Sequence, residues 1–183
     1  MASEMNPTTI TDDGLVLKNT GMIEDIITRL EHRAEVDLVS WQISRILRRD
    51  YNIVSKKMFI RCRDRNGREQ VHGLIEELML QAEMLRGESL KYEAFKDSHP
   101  LVPTALVLRV VSPETMQMLK ALLVIDEAIG FVKSANIAGH VDKSTMEAFP
   151  VIALKAYTDV KQYVMGTMST GTATELAREQ GVT

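Results

Sequence analysis

The stretch PTALVLRVVSPETM, residues Pro103 to Met116, predicts a strand that leads directly into a capped helix. Thr104 to Val111 is apolar and rich in β-branched residues, which is typical of a strand. Ser112 is a favourable N-cap, and Pro113 suits the first helical position, where its missing N–H is not needed. The chain is therefore expected to change from extended to helical conformation at Ser112.

Both faces of this strand carry mainly apolar side chains: Leu106, Leu108 and Val110 on one face, and Ala105, Val107 and Arg109 on the other. A ribbon that reads DNA usually displays polar side chains on its outward face. The pattern therefore predicts a strand that is covered on both sides.

Two helices are predicted after the strand, separated by a break near Gly139. The first is apolar over a wide face, which indicates burial against several neighbours; its apolar residues are Met116, Leu119, Leu122, Leu123, Ile129 and Val132. The second begins at about Ser144, with Pro150 tolerable in its first turns or at a break. Residues Thr104 to Val164 thus have the strand-helix-helix order of ribbon-helix-helix proteins, dimers in which a two-stranded ribbon enters the DNA major groove.

Upstream of this unit, apolar residues at helical spacing predict two more helices. One holds Val71, Leu74, Ile75, Leu78, Ala82 and Leu85 and ends near Gly87. The earlier one holds Ile23, Ile27, Leu30, Ala34, Leu38 and Trp41 and runs to about Arg49. Between them, strict alternation predicts a strand at Lys57 to Arg63 with a basic face and an apolar face, followed by a tight turn at Asn66-Gly67.

The predicted architecture is mostly α with short β, an α+β class. Residues 1–20 form an N-terminal tail with a short strand at Gly14 to Lys18, and residues 165–183 form a flexible C-terminal tail. Residues 21–164 form a single helical domain, with the ribbon-helix-helix-like unit at about 104–164 and additional helices before it. An unpaired apolar strand and a widely apolar helix predict a homodimer that hides both surfaces.

Positive charge is concentrated between Arg45 and Arg68, where nine Lys and Arg residues face two Asp residues. This basic block carries +7 in a chain of net charge −3, so the remainder carries −10. A block of one sign in an acidic protein is suited to a polyanion. The predicted DNA-binding residues are those nine and Arg109: Arg45, Arg48, Arg49, Lys56, Lys57, Arg61, Arg63, Arg65, Arg68 and Arg109.

The pattern leaves several alternatives open for these residues. The arginines near Arg49 also suit the negative end of a helix dipole, and charges on an exposed strand guard its edge against aggregation. Either strand 57–63 or strand 104–111 can be the DNA reader. Asp126 lies beside the apolar stripe of its helix, so it is either an exposed flank residue or a partly buried carboxylate paired with Arg109.

Enzymatic chemistry has little support in the sequence. The histidines are scattered, no glycine-rich phosphate loop occurs, and the single cysteine, Cys62, lies on an apolar face where a packed thiol is expected. We therefore expect no catalytic site, metal site or cofactor. The apolar runs are far shorter than the roughly 20 residues of a membrane span. Together with the polar start and the lone cysteine, this predicts a cytoplasmic protein that does not contact membranes.

Residues Ser98 to Asp142 resemble a segment of a protein family carried by integrative conjugative elements and large conjugative plasmids, which includes AcaB. The shared features are prolines ahead of an apolar strand, a Ser-Pro helix start, a leucine pair followed by Asp, and a late glycine break. The matching positions are Pro103, Leu106, Leu108, Pro113, Leu122, Leu123, Asp126 and Gly139.

The resemblance implies a ribbon-helix-helix transcription factor that activates conjugation genes, with double-stranded DNA as its partner and RNA polymerase as a further candidate partner. A second function stays open beside it. The protein can instead be a helical interaction or scaffold protein of a conjugation apparatus, in which the basic block contacts an acidic partner.

Overall fold

The computed structural model describes residues 9–10, 16–17 and 32–167. Within these ranges the chain is mainly helical and contains two small antiparallel sheets. One sheet pairs β1 (Thr9–Ile10) with β2 (Val16–Leu17), and the other pairs β3 (His32–Leu38) with β4 (Thr104–Val110). The helices are α1 (Trp41–Arg49), α2 (Tyr51–Arg61), α3 (Arg65–Ser89), α4 (Ala94–Ser98), α5 (Pro113–Ile137), α6 (Lys143–Ala148) and α7 (Val151–Met165), with a 3₁₀ turn at Leu90–Tyr92.

The strands β3 and β4 form a two-stranded ribbon whose register runs from His32 opposite Val110 to Leu38 opposite Thr104. This confirms the predicted strand after Pro103. One face of the ribbon is buried against the helices and carries Val36, Leu38, Leu106, Leu108 and Val110. The other face exposes Ala105 and Val107, so the expectation of a strand covered on both sides is wrong for the described part of the chain. Within residues 32–167 the helices lie against one face of the ribbon, and most side chains of the other face are exposed.

The predicted helix from Ile23 to Arg49 is confirmed only for Trp41–Arg49, is wrong for residues 32–40, and lies outside the described residues before His32. Ala34, Val36 and Leu38 alternate toward the core, which is the period of a strand. Helix α1 begins only after Ser40, whose hydroxyl oxygen accepts a hydrogen bond from the Ile43 amide at 3.3 Å. The buried side of α1 is formed by Ile43 and Leu47, whereas Trp41 is 63% exposed.

The predicted strand at Lys57 to Arg63 is also wrong, because most of this stretch belongs to helix α2. Most buried residues of the region recur at three or four positions, which is the helical period: Tyr51, Val54, Ser55, Met58 and Cys62, with Asn52 also buried beside Tyr51. Asn66 and Gly67 lie in the first turn of α3 instead of a tight turn, since the Asp64 carboxylate caps that helix at the Gly67 amide.

The long helices α3 and α5 agree closely with their apolar patterns. In α3, Val71, Ile75, Leu78, Ala82 and Leu85 are buried, and the helix continues past the expected end at Gly87 to Ser89. Helix α5 starts with a reciprocal capping box between Ser112 and Thr115, with Pro113 at its first position. The chain leaves α5 at Gly139, whose φ of +79° favours glycine.

Helix α5 lies at the centre of the fold. It contacts α1, α2, α3, α4, α6 and both strands of the ribbon. The predicted final helix is interrupted at Pro150, so that α6 and α7 are separate helices. Because the ribbon pairs within one chain and α5 is covered by its own chain, neither observation requires a second subunit.

Asp126 joins the start of α1 to the central helix. Its carboxylate is buried and accepts hydrogen bonds from the Val39 amide at 2.8 Å, the Ser40 amide at 2.9 Å and the Ser40 hydroxyl at 2.5 Å. Burial raises the pKa of the Asp126 carboxyl, and these hydrogen bonds oppose that rise. The expectation of an exposed flank residue is wrong; the expectation of a buried carboxylate is confirmed, but its hydrogen-bond partners are Val39 and Ser40 instead of Arg109.

In the described part of the chain, no helix combines the length and the apolar character that crossing a membrane requires.

Candidate nucleic-acid interface

The arginines of α1 differ in how far they reach into solvent. Arg45 and Arg49 are exposed and one helical turn apart. Arg48 is half-buried, and its Nε is enclosed by protein without a hydrogen-bond partner among the described residues. Two of the three arginines at the end of α1 are therefore available to a ligand.

The turn between α2 and α3 displays most of the remaining basic residues. Arg61, Arg63, Arg65 and Arg68 are exposed in or next to this turn, and within α2 Lys57 is exposed and Lys56 is half-buried. The guanidinium of Arg63 lies 5.2 Å from the centre of the Phe59 ring, and that of Arg61 lies 5.8 Å from the Tyr163 ring. Such cation–π contacts orient a guanidinium while leaving its charge uncompensated.

The same turn is held together by hydrogen bonds. The Nε of Arg68 donates to the Cys62 carbonyl at 3.1 Å, and the Asp64 carboxylate accepts from the Gly67 amide at 2.9 Å. Arg65 forms an exposed ion pair with Glu69, with 3.0 Å between Nε and Oε1. The basic side chains of the turn thus project from a fixed backbone.

The two aspartates of the basic block do little to neutralise it. Asp64 caps α3, and Asp50 binds Lys161 of α7, with 2.7 Å between its carboxylate and the Nζ atom. Six exposed residues of the block have no carboxylate at ion-pair distance within residues 32–167: Arg45, Arg49, Lys57, Arg61, Arg63 and Arg68. This surface can attract an extended polyanion.

A pocket of about 330 Å³ opens between α1 and α7, and we call it the α1 notch. Its lining residues are Trp41, Gln42, Arg45, Ile46, Arg49, Asp50 and Lys161. The sequence gives no sign that Trp41 is a site residue, because the helical spacing from Ile23 places its ring on an apolar face. Lys161 gave no local signal, since it lies 111 residues from its partner Asp50.

Arg109 is separated from the basic block and belongs to the ribbon. It is half-buried on β4, directly across from Arg33 of β3 in the strand register. The exposed face of the ribbon also carries Glu35 and Asp37, so positive and negative groups balance there. The ribbon therefore offers a weaker electrostatic attraction to phosphates than the helices do.

Cys62 is a packed thiol, as predicted. It is buried at the end of α2, and burial, together with the nearby Glu114 carboxylate, raises its pKa to about 11. A thiol with this pKa stays protonated near neutral pH and is a poor nucleophile.

A second concave surface, the acidic groove, has a volume of about 620 Å³ and lies beside β3 and α5. Its walls include the apolar side chains of Val36, Leu101, Leu123, Val124 and Phe131. Its carboxylates include Glu35, Asp37 and Glu127, of which Glu127 is paired with Arg86 at 3.0 Å, and one cation, Lys96, also lines it, so carboxylates still outnumber cations. Negative charge of this kind repels phosphates, so the acidic groove does not suit DNA.

Comparison with known proteins bears on the fold. No family model matches this sequence, and no curated protein is similar enough to match it. Among solved structures, the chain is similar to selenomethionine-containing AcaB from uropathogenic E. coli, with a TM-score of 0.56 and 12% sequence identity. The alignment covers 76% of this chain and 80% of the AcaB chain.

This chain shares its fold with AcaB. The likeness agrees with the resemblance seen at Ser98 to Asp142, which includes β4 and the whole of α5. At this low identity, likeness to AcaB concerns the backbone and assigns no role to an individual residue of this chain.

Proposed function

We propose that this protein is a sequence-specific DNA-binding transcriptional regulator of conjugative transfer genes on a mobile element. The observation that carries the proposal is the set of exposed cations on α1, α2 and the start of α3 that lack carboxylate partners within residues 32–167. The AcaB-like fold and the family resemblance support the conjugation context, and activation as the direction of regulation rests on the resemblance. In this proposal the protein is not an enzyme.

The proposed DNA-binding surface differs from that of a ribbon-helix-helix protein. A strand, a capped helix and further helices follow one another in the order of that motif, but the strand pairs within its own chain. We assign the main DNA contact to the helices, because Glu35 and Asp37 offset the arginines of the ribbon. Arg109 is a secondary contact in this arrangement.

A homodimer is also part of the proposal. Each strand of the ribbon uses one edge for pairing among the described residues, which leaves the other edges available to a second copy. Two-fold symmetry would let two subunits contact two half-sites of duplex DNA. Light scattering at micromolar protein should give the mass of two chains, and a single-chain mass at every concentration would contradict the dimer.

A gel shift tests the proposed function. The duplex upstream of the protein's own operon should be retarded in the presence of excess competitor DNA, whereas a duplex of scrambled sequence should not. RNA polymerase, the further partner expected of an activator, can be added to the retarded complex. Failure to retard either duplex at low salt would exclude DNA binding through the basic block.

The acidic groove favours a second function, that of a helical interaction or scaffold protein of a conjugation apparatus. Its apolar walls and carboxylates suit a cationic segment of a partner protein, and the basic block would then contact an acidic partner. A negative gel shift combined with mutual retention of this protein and a purified component of the apparatus would support this function instead.

A further inference from the structure

The α1 notch combines an aromatic ring with cations from two helices. Trp41, Arg45 and Arg49 are spaced by four residues, so they follow one another along one side of α1. Lys161 of α7 closes the opposite wall. The notch is therefore formed by residues that are far apart in the sequence and is part of the folded surface.

The charges of the notch favour an anion. Lys161 forms an ion pair with Asp50, with 2.7 Å between Nζ and the carboxylate. Arg45 and Arg49 have no carboxylate partner in the described part of the chain. The Arg45 guanidinium lies 5.8 Å from the centre of the Trp41 ring. Guanidinium groups bind phosphate oxygens through several N–H donors held in a fixed plane, which is why arginine is preferred for phosphate recognition.

The exposure of Trp41 points to a ligand with an apolar surface next to its anion. The side chain is 63% exposed although α1 has a well-packed inner side at Ile43 and Leu47. Most of the indole surface therefore contributes no apolar burial to the fold, and its nearest charged neighbour is the Arg45 guanidinium. Packed against the sugar of a nucleotide, the same ring would bury apolar area.

We propose that the α1 notch binds the phosphodiester backbone of duplex DNA. One phosphate lies between the guanidinium groups of Arg45 and Arg49, and the indole ring of Trp41 packs against the adjacent deoxyribose. This inference rests on the proposed function and adds to it the place where the backbone binds. It also assigns a direct contact with DNA to Trp41, which is not among the DNA-binding residues predicted from the sequence.

The chain contains a single tryptophan, so its intrinsic emission reports on the notch alone. The full-length protein is titrated with a short fluorescein-labelled duplex at low salt, and separately with one of its strands. Anisotropy of the label measures binding, and indole emission measures contact at Trp41. We expect emission to change with the same midpoint as anisotropy when the duplex is added.

The variant that tests the phosphate contact is R45A/R49A. It should lower affinity for the duplex about tenfold or more, because two charge-assisted contacts are lost, and the change in emission should disappear. The matched control K120A/K143A removes the same charge from exposed positions on α5 and α6. It should leave both affinity and emission change as in the wild type.

The two readouts separate failure of the notch from failure of the function. If anisotropy shows binding, but indole emission does not change and R45A/R49A binds as tightly as the wild type, DNA does not bind at the α1 notch. The proposed function would then stand without this inference. No binding by anisotropy overturns the proposed function and this inference with it. An emission change with the single strand alone also overturns the inference, because the notch would then hold an unpaired nucleotide and not the duplex backbone.

Discussion

Asp126 illustrates how a single buried carboxylate can organise a junction between elements. Its three hydrogen bonds satisfy the donors of Val39 and Ser40, where the chain leaves β3 and enters α1. These donors precede Asp126 by 86 and 87 residues, and two of them are backbone amides. No side-chain pattern marks such a partner, which explains why the sequence suggested Arg109 instead.

Replacing Asp126 by Ala should destabilise the fold by about 3 kcal/mol, because buried donors at the start of α1 lose their acceptor. The free energy of unfolding measured with urea checks this value. Glu127→Ala is the matched control on the same helix; its half-exposed pair with Arg86 should be worth less than about 1 kcal/mol. Equal, small losses in the two variants would show that the Asp126 junction contributes little.

Helix α2 shows why the sequence pattern predicts the wrong secondary structure for the basic block. Met58, Ile60 and Cys62 alternate with charged or aromatic residues, which imitates a strand. The helical stripe on the same stretch includes Ser55, a polar residue that is nevertheless fully buried, while Ile60 is 45% exposed. The charges could be located from the sequence, but the element that displays them could not.

The end of α2 and the start of α3 approach each other closely at Gly67. A Cβ at Gly67 would overlap the carbonyl oxygen of Arg61, which is backbone and cannot rotate away. Gly67→Ala should therefore lower the free energy of unfolding by about 2 kcal/mol. The comparison is Gly73→Ala on the same helix, where a Cβ meets nothing within 4 Å.

Gly73→Ala should stabilise the protein by roughly 0.5–1 kcal/mol, since alanine loses less backbone entropy than glycine in a helix. Opposite signs for the two variants in urea unfolding are the expected result. If Gly67→Ala is neutral or stabilising, α2 and α3 are not in close contact at this turn, and the display of Arg61 to Arg68 has to be explained differently.

For the whole molecule, local sequence patterns predict the secondary structure and helix caps that neighbouring residues determine. They do not predict which distant segments pair with each other. The strand after Pro103, the cap at Ser112 and the apolar stripe of α3 were all readable, because each depends on neighbours within a few residues. The pairing of β3 with β4 and of Lys161 with Asp50 joins distant parts of the chain. The basic block was therefore predictable as a set of charges, but the α1 notch was not.

The salt dependence of DNA binding tests the basic block as a unit. Each phosphate contact releases condensed counterions, so log K falls against log salt with a slope of about −0.9 per contact. A dimer using about four cations per subunit should show a slope near −7. Arg61→Ala/Arg63→Ala should flatten the slope by about two units per subunit, because two exposed cations of the α2–α3 turn are lost.

Arg61→Lys/Arg63→Lys is the matched control for this measurement. It retains both charges, so the slope should stay close to that of the wild type even if affinity falls through the loss of guanidinium geometry. Circular dichroism establishes that both variants fold. A folded alanine variant with the wild-type slope would mean that the α2–α3 turn does not contact phosphates, and the ribbon, with Arg33 and Arg109 across from each other, would be the next surface to substitute.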